Sequence, residues 1–269
     1  MENNNSLGIY YNKELAVVQA NELVRSRQDD LTLLEAKLIR LAIAQVLKDD
    51  TDLKTYTCNV VDLANFLQIS QDNIYRDIQD LSKSIMKKSI FIRDRESKKG
   101  GYKIFHWIDY IEYKDGVITF RLSESLKPYL LGLNELFTLY EYDIVISLPT
   151  NNAIRLYELL ASFQNIQYKR ILDHSFTNIK LEKNEFLFSI DWLRDYFNCK
   201  DKYPNTGDFI KRIISPSVQS IEKHSLMRLE YRTIKEKRSI KAIVFSMKHW
   251  TDNPEEAAEI IRRLRKVSE

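Results

Sequence analysis

The sequence predicts an α+β protein made of two tandem winged-helix domains, each a helix-turn-helix followed by a β-hairpin wing. Three observations predict it. A pair of helices joined by a turn occurs twice, a strand, basic turn and strand follow each pair, and positive charge collects on these elements. The 269 residues, 44% of them hydrophobic, suffice for two such domains with a core each.

In the first copy, Thr32 and Glu35 form the T-x-x-E of a capping box, with Asp29 and Asp30 just ahead of it. Leu34, Leu38, Ile39, Leu41 and Ala42 then recur at helical spacing to about Leu47. Asp49 to Asp52 break the helix, and Lys54 to Val60 reads as a strand. A short helix follows at Asp62 to Leu67, then a tight turn at Ile69 and Ser70, then a longer helix from about Asp72 to Lys88. Ile74, Ile78, Leu81 and Ile85 mark its apolar face, which leaves Asn73, Tyr75, Arg76, Gln79 and Lys83 on the polar side. Ser89 to Arg93 and Tyr102 to Ile108 read as the strands of a wing, with Lys98 and Lys99 at its tip. A second hairpin, Tyr110 to Lys114 and Val117 to Leu122, turns at Asp115-Gly116, the pair a type I′ turn favours. Pro128 marks the end of the unit, and Gly132 to Tyr142 reads as a connector.

The order then repeats. Pro149 and Thr150 precede a helix over Asn151 to Phe163, an irregular insertion runs from Gln164 to Asn184, and Phe186 to Phe188 is a strand. Ser189 can cap a helix carrying Ile190, Leu193 and Phe197. A loop with Pro204 and Gly207 leads to a second helix from Asp208, apolar at Ile210, Ile214, Val218 and Ile221 and polar at Lys211, Arg212, Ser215 and Gln219. Pro216 interrupts it: either the helix kinks there, or Ser215 caps a new helix and leaves Lys211 and Arg212 on a separate turn. Leu229 to Ile234 and Ile240 to Met247 flank a tip of Lys235, Glu236, Lys237, Arg238 and Ser239. Asn253 and Pro254 start a final helix. The implied organisation is an N-terminal arm over 1–30, domains over 31–135 and 136–250, and a C-terminal helix over 251–269.

Net charge is +3, but its distribution is uneven. Residues 83–103 hold eight basic and two acidic side chains, and residues 209–241 hold nine and three, so the rest of the chain carries −9. Clustered Lys and Arg on an acidic body suit a polyanion, double-stranded DNA above all. Other chemistries find little support. None of the six glycines precedes a lysine or forms G-x-G-x-x-G, so no nucleotide-binding loop shows. His106, His174, His224 and His249 make no H-x-H or H-E-x-x-H, which argues against a metal site and against a tyrosine-dependent nicking enzyme. The expectation is a protein without cofactor, metal or catalysis. Cys58 and Cys199 stand 141 positions apart, and no signal peptide or apolar span shows, so a cytoplasmic location with no membrane partner is expected.

The stretches Leu31 to Ala44 (LTLLEAKLIRLAIA), Ala153 to Leu160 (AIRLYELL), Leu193 to Ile221 (LRDYFNCKDKYPNTGDFIKRIISPSVQSI) and Ala242 to Met247 (AIVFSM) resemble the replication initiator (Rep) proteins of theta-replicating, iteron-containing plasmids. The resemblance runs from about Asn21 to Met247; the 164–184 insertion and the tail from Trp250 depart from it. It implies a double winged-helix protein that binds direct repeats (iterons) at a plasmid origin, helps open the adjacent segment and engages the host initiator and replicative helicase. It also implies a first domain that contributes DNA contacts and dimerisation, a second that reads the repeats, and dimers that repress the initiator's own gene.

Within that reading, Lys211, Arg212, Ser215 and Gln219 face the major groove, with Asn73, Tyr75, Arg76, Gln79 and Lys83 as counterparts in the first domain. Lys98, Lys99, Lys235, Lys237 and Arg238 hold phosphates from the wings. The alternative is a winged-helix transcriptional repressor that binds a palindromic operator.

Overall fold

The computed structural model describes residues 6–9, 15–94, 97, 99–163, 176, 179–182, 184–225 and 227–248, without the side chains of residues 6, 7, 72, 73 and 248. The helix expected over 251–269 and most of the 164–184 insertion lie outside the described residues. The chain divides into two units, the first closing at Ser147 and the second starting at Leu148.

The first unit runs β1 (Ser6–Gly8), β2 (Ala16–Ala20), α1 (Asn21–Val24), β3 (Arg27–Gln28), α2 (Leu33–Ala44), β4 (Thr55–Asn59), α3 (Val60–Phe66), α4 (Gln71–Ile85), β5 (Ser89–Asp94), β6 (Gly101–His106), β7 (Ile108–Lys114), β8 (Val117–Leu122), α5 (Lys127–Leu130), β9 (Phe137–Glu141) and α6 (Tyr142–Ser147). The capping box of α2 is made as the sequence predicts. Thr32 Oγ1 accepts the Glu35 N–H at 3.2 Å, and Glu35 Oε2 accepts the Thr32 N–H at 2.7 Å. Every residue from Glu35 to Ala44 is buried, so α2 is the central helix of the unit rather than a half-exposed one. Asn59 caps α3 by accepting the Val61 N–H at 2.8 Å, and Gln68 turns the chain into α4 at a φ of 55°.

The second unit runs α7 (Asn151–Ala161), β10 (Glu185–Ser189), α8 (Ile190–Tyr196), α9 (Thr206–Phe209), a π-helical turn (Ile210–Ile214), α10 (Ser215–His224), β11 (Arg228–Glu236) and β12 (Ser239–Lys248). Thr150 caps α7 and Ser189 caps α8. Phe188, Phe245 and Phe163 meet ring to ring between the sheet and the helices. The opposite face of the sheet presents Leu187, Ala242 and Val244, which Phe176, Ile179 and Leu181 of the insertion pack against. The described part of the insertion thus covers an apolar sheet face.

Strand order corrects the sequence reading of the first wing. In the second unit the strand ahead of the helix pair lies beside the second strand of the hairpin, in the order β10-β12-β11. The first unit has the same arrangement in β4-β8-β7, with β1 added at the edge. The topological equivalent of the β11–β12 wing is therefore β7–β8. The hairpin carrying Lys99, β5–β6, is an extra element that sits in its own sheet, β3-β5-β6. Side-chain pattern decides the pairing: Tyr56 and Cys58 on β4 alternate inward against Ile118, Phe120 and Leu122 on β8, with the Tyr56 and Phe120 rings 6.1 Å apart. The β6 strand exposes Tyr102 and Ile104 at 67% and 59% and is unfit for a central position.

Long-range pairing also shifts the expected boundaries. The stretch expected as a connector contains β9, which pairs antiparallel with β2 from Ala16↔Glu141 to Ala20↔Phe137. The stretch expected as an arm thereby supplies strands to the first unit. Lys37 Nζ donates to Ile146 O at 2.7 Å and Tyr142 Oη donates to Lys37 O at 3.2 Å, tying α6 to α2. These links carry the first unit to Ser147 rather than residue 135.

Two measurements check this packing. Asp115 and Gly116 close the β7–β8 hairpin at φ values of 51° and 80°, and nothing lies within 4 Å of a Cβ built on Gly116. Gly116→Ala should therefore cost only the left-handed backbone penalty, about 1–2 kcal/mol in urea unfolding. Arg232 on β11 forks onto Glu185 on β10 at 3.1 and 2.9 Å and holds that carboxyl below its ordinary value of 4.5. The stability this pair adds is present above the ordinary value and lost as the pH falls through the depressed one. The difference in thermal midpoint between the protein and Glu185→Gln should be constant near neutrality and vanish in acid.

Candidate nucleic-acid interface

Pro216 shapes the surface that carries Lys211 and Arg212. A proline has no N–H to give the carbonyl four residues back, here Arg212 O, and its ring crowds that carbonyl. The chain answers by widening the preceding turn: the Ser215 N–H reaches Ile210 O, five residues back, and the helix continues as α10. Ser215 has helical angles, φ −58° and ψ −46°, and the residue at the N-cap position of α10 is Ile214, itself helical. Of the two arrangements the sequence allows, the deformed continuous helix is the one present, from Thr206 to His224. Lys211, Arg212 and Gln219 are exposed on it, while Ile213, Ile214, Val218 and Ile221 are buried.

The scaffold beneath this helix is polar and specific. Arg155 on α7 is buried, its guanidinium 3.9 Å from the centre of the Tyr196 ring on α8, and Nη2 donates to Tyr196 O at 3.4 Å. Tyr196 Oη donates in return to Arg155 O at 2.9 Å. From the same helix, Arg194 Nη1 donates to Lys202 O at 2.8 Å and lies over the Phe209 ring at 5.2 Å. α7, α8, the loop and the start of the exposed helix are therefore one linked unit.

The β11–β12 wing ends in a two-residue turn at Lys237 and Arg238, closed by the Glu236↔Ser239 pair, with Lys237 at a φ of 53°. Lys235, Lys237 and Arg238 are all exposed. A register shift between Ile234 and Lys235 bends the strand just before this tip. The unit thus offers two cationic elements, a helix with Lys211 and Arg212 and a hairpin tip with three more.

Ser215 is placed differently from its neighbours. It is half-buried, and its Oγ lies 2.8 Å from Tyr231 Oη on β11. Its hydroxyl is engaged with the wing. Tyr231 falls within Leu229 to Ile234, which the sequence predicts only as a strand, and the fold brings it to the helix.

In the first unit, Tyr75, Arg76, Gln79 and Lys83 are exposed on α4, as the helical spacing predicts. Arg76 forks onto the neighbouring Asp77 at 2.7 and 3.2 Å, and its guanidinium holds that carboxyl below its usual value. Lys99 is exposed at the tip of β5–β6. The Asn73 side chain and Lys98 lie outside the described residues. Sequence reasoning missed the outward face of that hairpin, where Phe91 and Tyr102 stack at 5.2 Å and Arg27 lies over Phe91 at 5.3 Å.

Among the described residues no group of three His, Cys, Asp or Glu could hold a metal ion, and no helix is long and apolar enough to cross a membrane. Burial, with the charge of Asp62, pushes the Cys58 thiol up to about 12, which leaves it protonated and unreactive at neutral pH.

Comparison with known proteins gives two family matches in tandem. Residues 16–161 match the family described as "Initiator Replication protein, WH1", and residues 189–247 match "Initiator Rep protein, WH2". Among solved structures, the chain is similar to the Pi initiator protein, solved in complex with iteron DNA. Identity is 18%, the match covers 88% of this chain and 98% of that one, and the TM-score is 0.62. At that identity the likeness is one of fold. Weaker likenesses are to RctB domains 2-3 (12% identity, 86% and 83% covered, TM-score 0.43) and to the WH1 domain of the MSBI1.176 replication protein isolated from a multiple sclerosis patient (18%, 37% and 79%, 0.29).

The Arg155–Tyr196 clamp can be probed alone. Tyr196→Phe keeps the ring over the guanidinium and removes the bond to Arg155 O. It should lower unfolding free energy by about 1 kcal/mol in a denaturant titration, with the slope unchanged.

Proposed function

The chain belongs to the initiator replication protein family, and from that premise we propose that it is a plasmid replication initiator that binds double-stranded DNA at direct repeats in the plasmid origin. The observation that carries this reading is the pairing, in the second unit, of an exposed helix bearing Lys211, Arg212 and Gln219 with a cationic wing tip. Helix residues reach base edges in the major groove, where Lys or Arg suits guanine and Gln suits adenine. Lys235, Lys237 and Arg238 hold phosphates and set the register without reading sequence. The likeness to the Pi initiator, which was solved on iteron DNA, supports the choice of direct repeats over a palindrome.

In the same reading the first unit adds DNA contacts through Tyr75, Arg76, Gln79 and Lys83 and through Lys99. Asn73 and Lys98 join this set by sequence. The first unit also mediates self-association, and a dimer represses the initiator's own gene. Binding to several repeats helps open the neighbouring duplex and brings in the host initiator and the replicative helicase. The protein acts by binding and deformation, without catalysis of its own.

Footprinting of the protein on its own upstream DNA across a salt series tests this. Protection of several in-phase direct repeats is the expected result; a single protected palindrome, or no preference at any salt, overturns it. Arg212→Ala should weaken cognate binding by about 1–3 kcal/mol. Each wing substitution, such as Lys237→Ala, should weaken all sequences alike and reduce the salt slope by about 1.

A further inference from the structure

We propose that Tyr231 is a positioning residue for DNA recognition, holding the wing and the recognition helix in one orientation through its hydroxyl bond to Ser215. This role rests on the reading that the second unit binds DNA through both elements.

The helix is irregular where it carries Lys211 and Arg212. The π-helical turn spans Ile210–Ile214, Pro216 withholds a backbone donor, and Ser217 Oγ donates back to Ile213 O at 2.6 Å, a bond that bends helices. Lys211 and Arg212 sit on this turn. Their direction is therefore set less by the regular ladder than by what holds the end of the turn, and the residue there is the half-buried Ser215. Its Oγ meets Tyr231 Oη at 2.8 Å.

The wing has a matching need. A register shift at Ile234 and Lys235 bends β11 between Tyr231 and the cationic tip. Tyr231 lies on the root side of that bend, its ring 6.3 Å from Phe245, a fully buried core residue. Phenylalanine would fill the same space against Phe245. What the hydroxyl adds is a directional link from the rigid root of the wing to the first turn of α10. One bond thus relates the two cationic elements that must engage a single stretch of duplex together.

The test compares binding of the full chain to its own upstream repeat DNA and to a scrambled duplex of equal length, by fluorescence anisotropy over a salt series. Tyr231→Phe should reduce the ratio of specific to scrambled affinity about threefold to tenfold, the worth of one hydrogen bond, while the salt slope stays that of the unaltered protein. Ser215→Ala should do the same, the double variant should be no worse than either single one, and Ser215→Thr, which keeps a hydroxyl, should restore most of the ratio. A purely structural tyrosine predicts otherwise, with equal losses on both duplexes and an unchanged ratio between them. That result in Tyr231→Phe overturns the role. An unaltered protein that fails to tell the two duplexes apart overturns the repeat-binding reading itself, and this role with it.

Discussion

Each unit buries cationic side chains on its first long helix, Lys37 and Arg40 on α2 and Arg155 on α7, and Lys37 and Arg155 each bind that helix to a partner helix. A buried ammonium or guanidinium is costly unless hydrogen-bonded. In the first unit Lys37 gives its charge to Ile146 O, and burial lowers its ammonium below the ordinary lysine value. In the second, Arg155 is held by the Tyr196 ring and carbonyl. In both, a tyrosine hydroxyl from the partner helix donates to the backbone carbonyl of the cationic residue itself, Tyr142 of α6 to Lys37 and Tyr196 of α8 to Arg155. The link is reciprocal each time, so helix and partner are fixed by two bonds of opposite sense. In the second unit this fixes α8, and Arg194 extends the order through the loop to Phe209, where the exposed helix begins.

The exposed helix is the least regular element of that unit, and its irregularity has one source. Pro216 would be excluded from a helix built for stability alone. Here it forces a wide turn that keeps Lys211 and Arg212 on a continuous helix while Ile213 and Ile214 remain buried. The rigid clamp beneath and the deformed helix above divide the work, one giving stability and the other presenting charge. The first unit shows no such deformation in α4, and its extra hairpin β5–β6 adds a cationic tip in a sheet of its own.

Local signals in the sequence carried much of this. The capping box at Thr32, the Asp115-Gly116 turn, and the apolar spacing of Ile74, Ile78, Leu81 and Ile85 each depend on residues a few positions apart, and each is found as read. What the sequence concealed depends on partners far along the chain. The stretch Phe137–Glu141 reads as a connector because its pairing partner, Ala16–Ala20, lies more than a hundred residues away. The β5–β6 hairpin reads as the wing because a basic tip marks a hairpin without saying which strand lies beside it. Tyr231 reads as a sheet residue because nothing local links it to Ser215. The exposure of the candidate residues Lys211, Arg212, Gln219, Lys235, Lys237 and Arg238 was legible, since charge and helical phase suffice for that. Ser215, at the same phase, is engaged inward because the wing closes over it.

The proposed function requires that the continuous helix from Thr206 to His224 and the wing formed by β11 and β12 together contact repeat DNA. Hydrogen exchange of the full chain, with and without its own upstream repeat duplex, tests it most directly. Exchange should slow on adding DNA along residues 206–224 and at the wing tip around Lys237, and more with repeat DNA than with a scrambled duplex. Protection confined to the first unit, or equal for both duplexes, would contradict it.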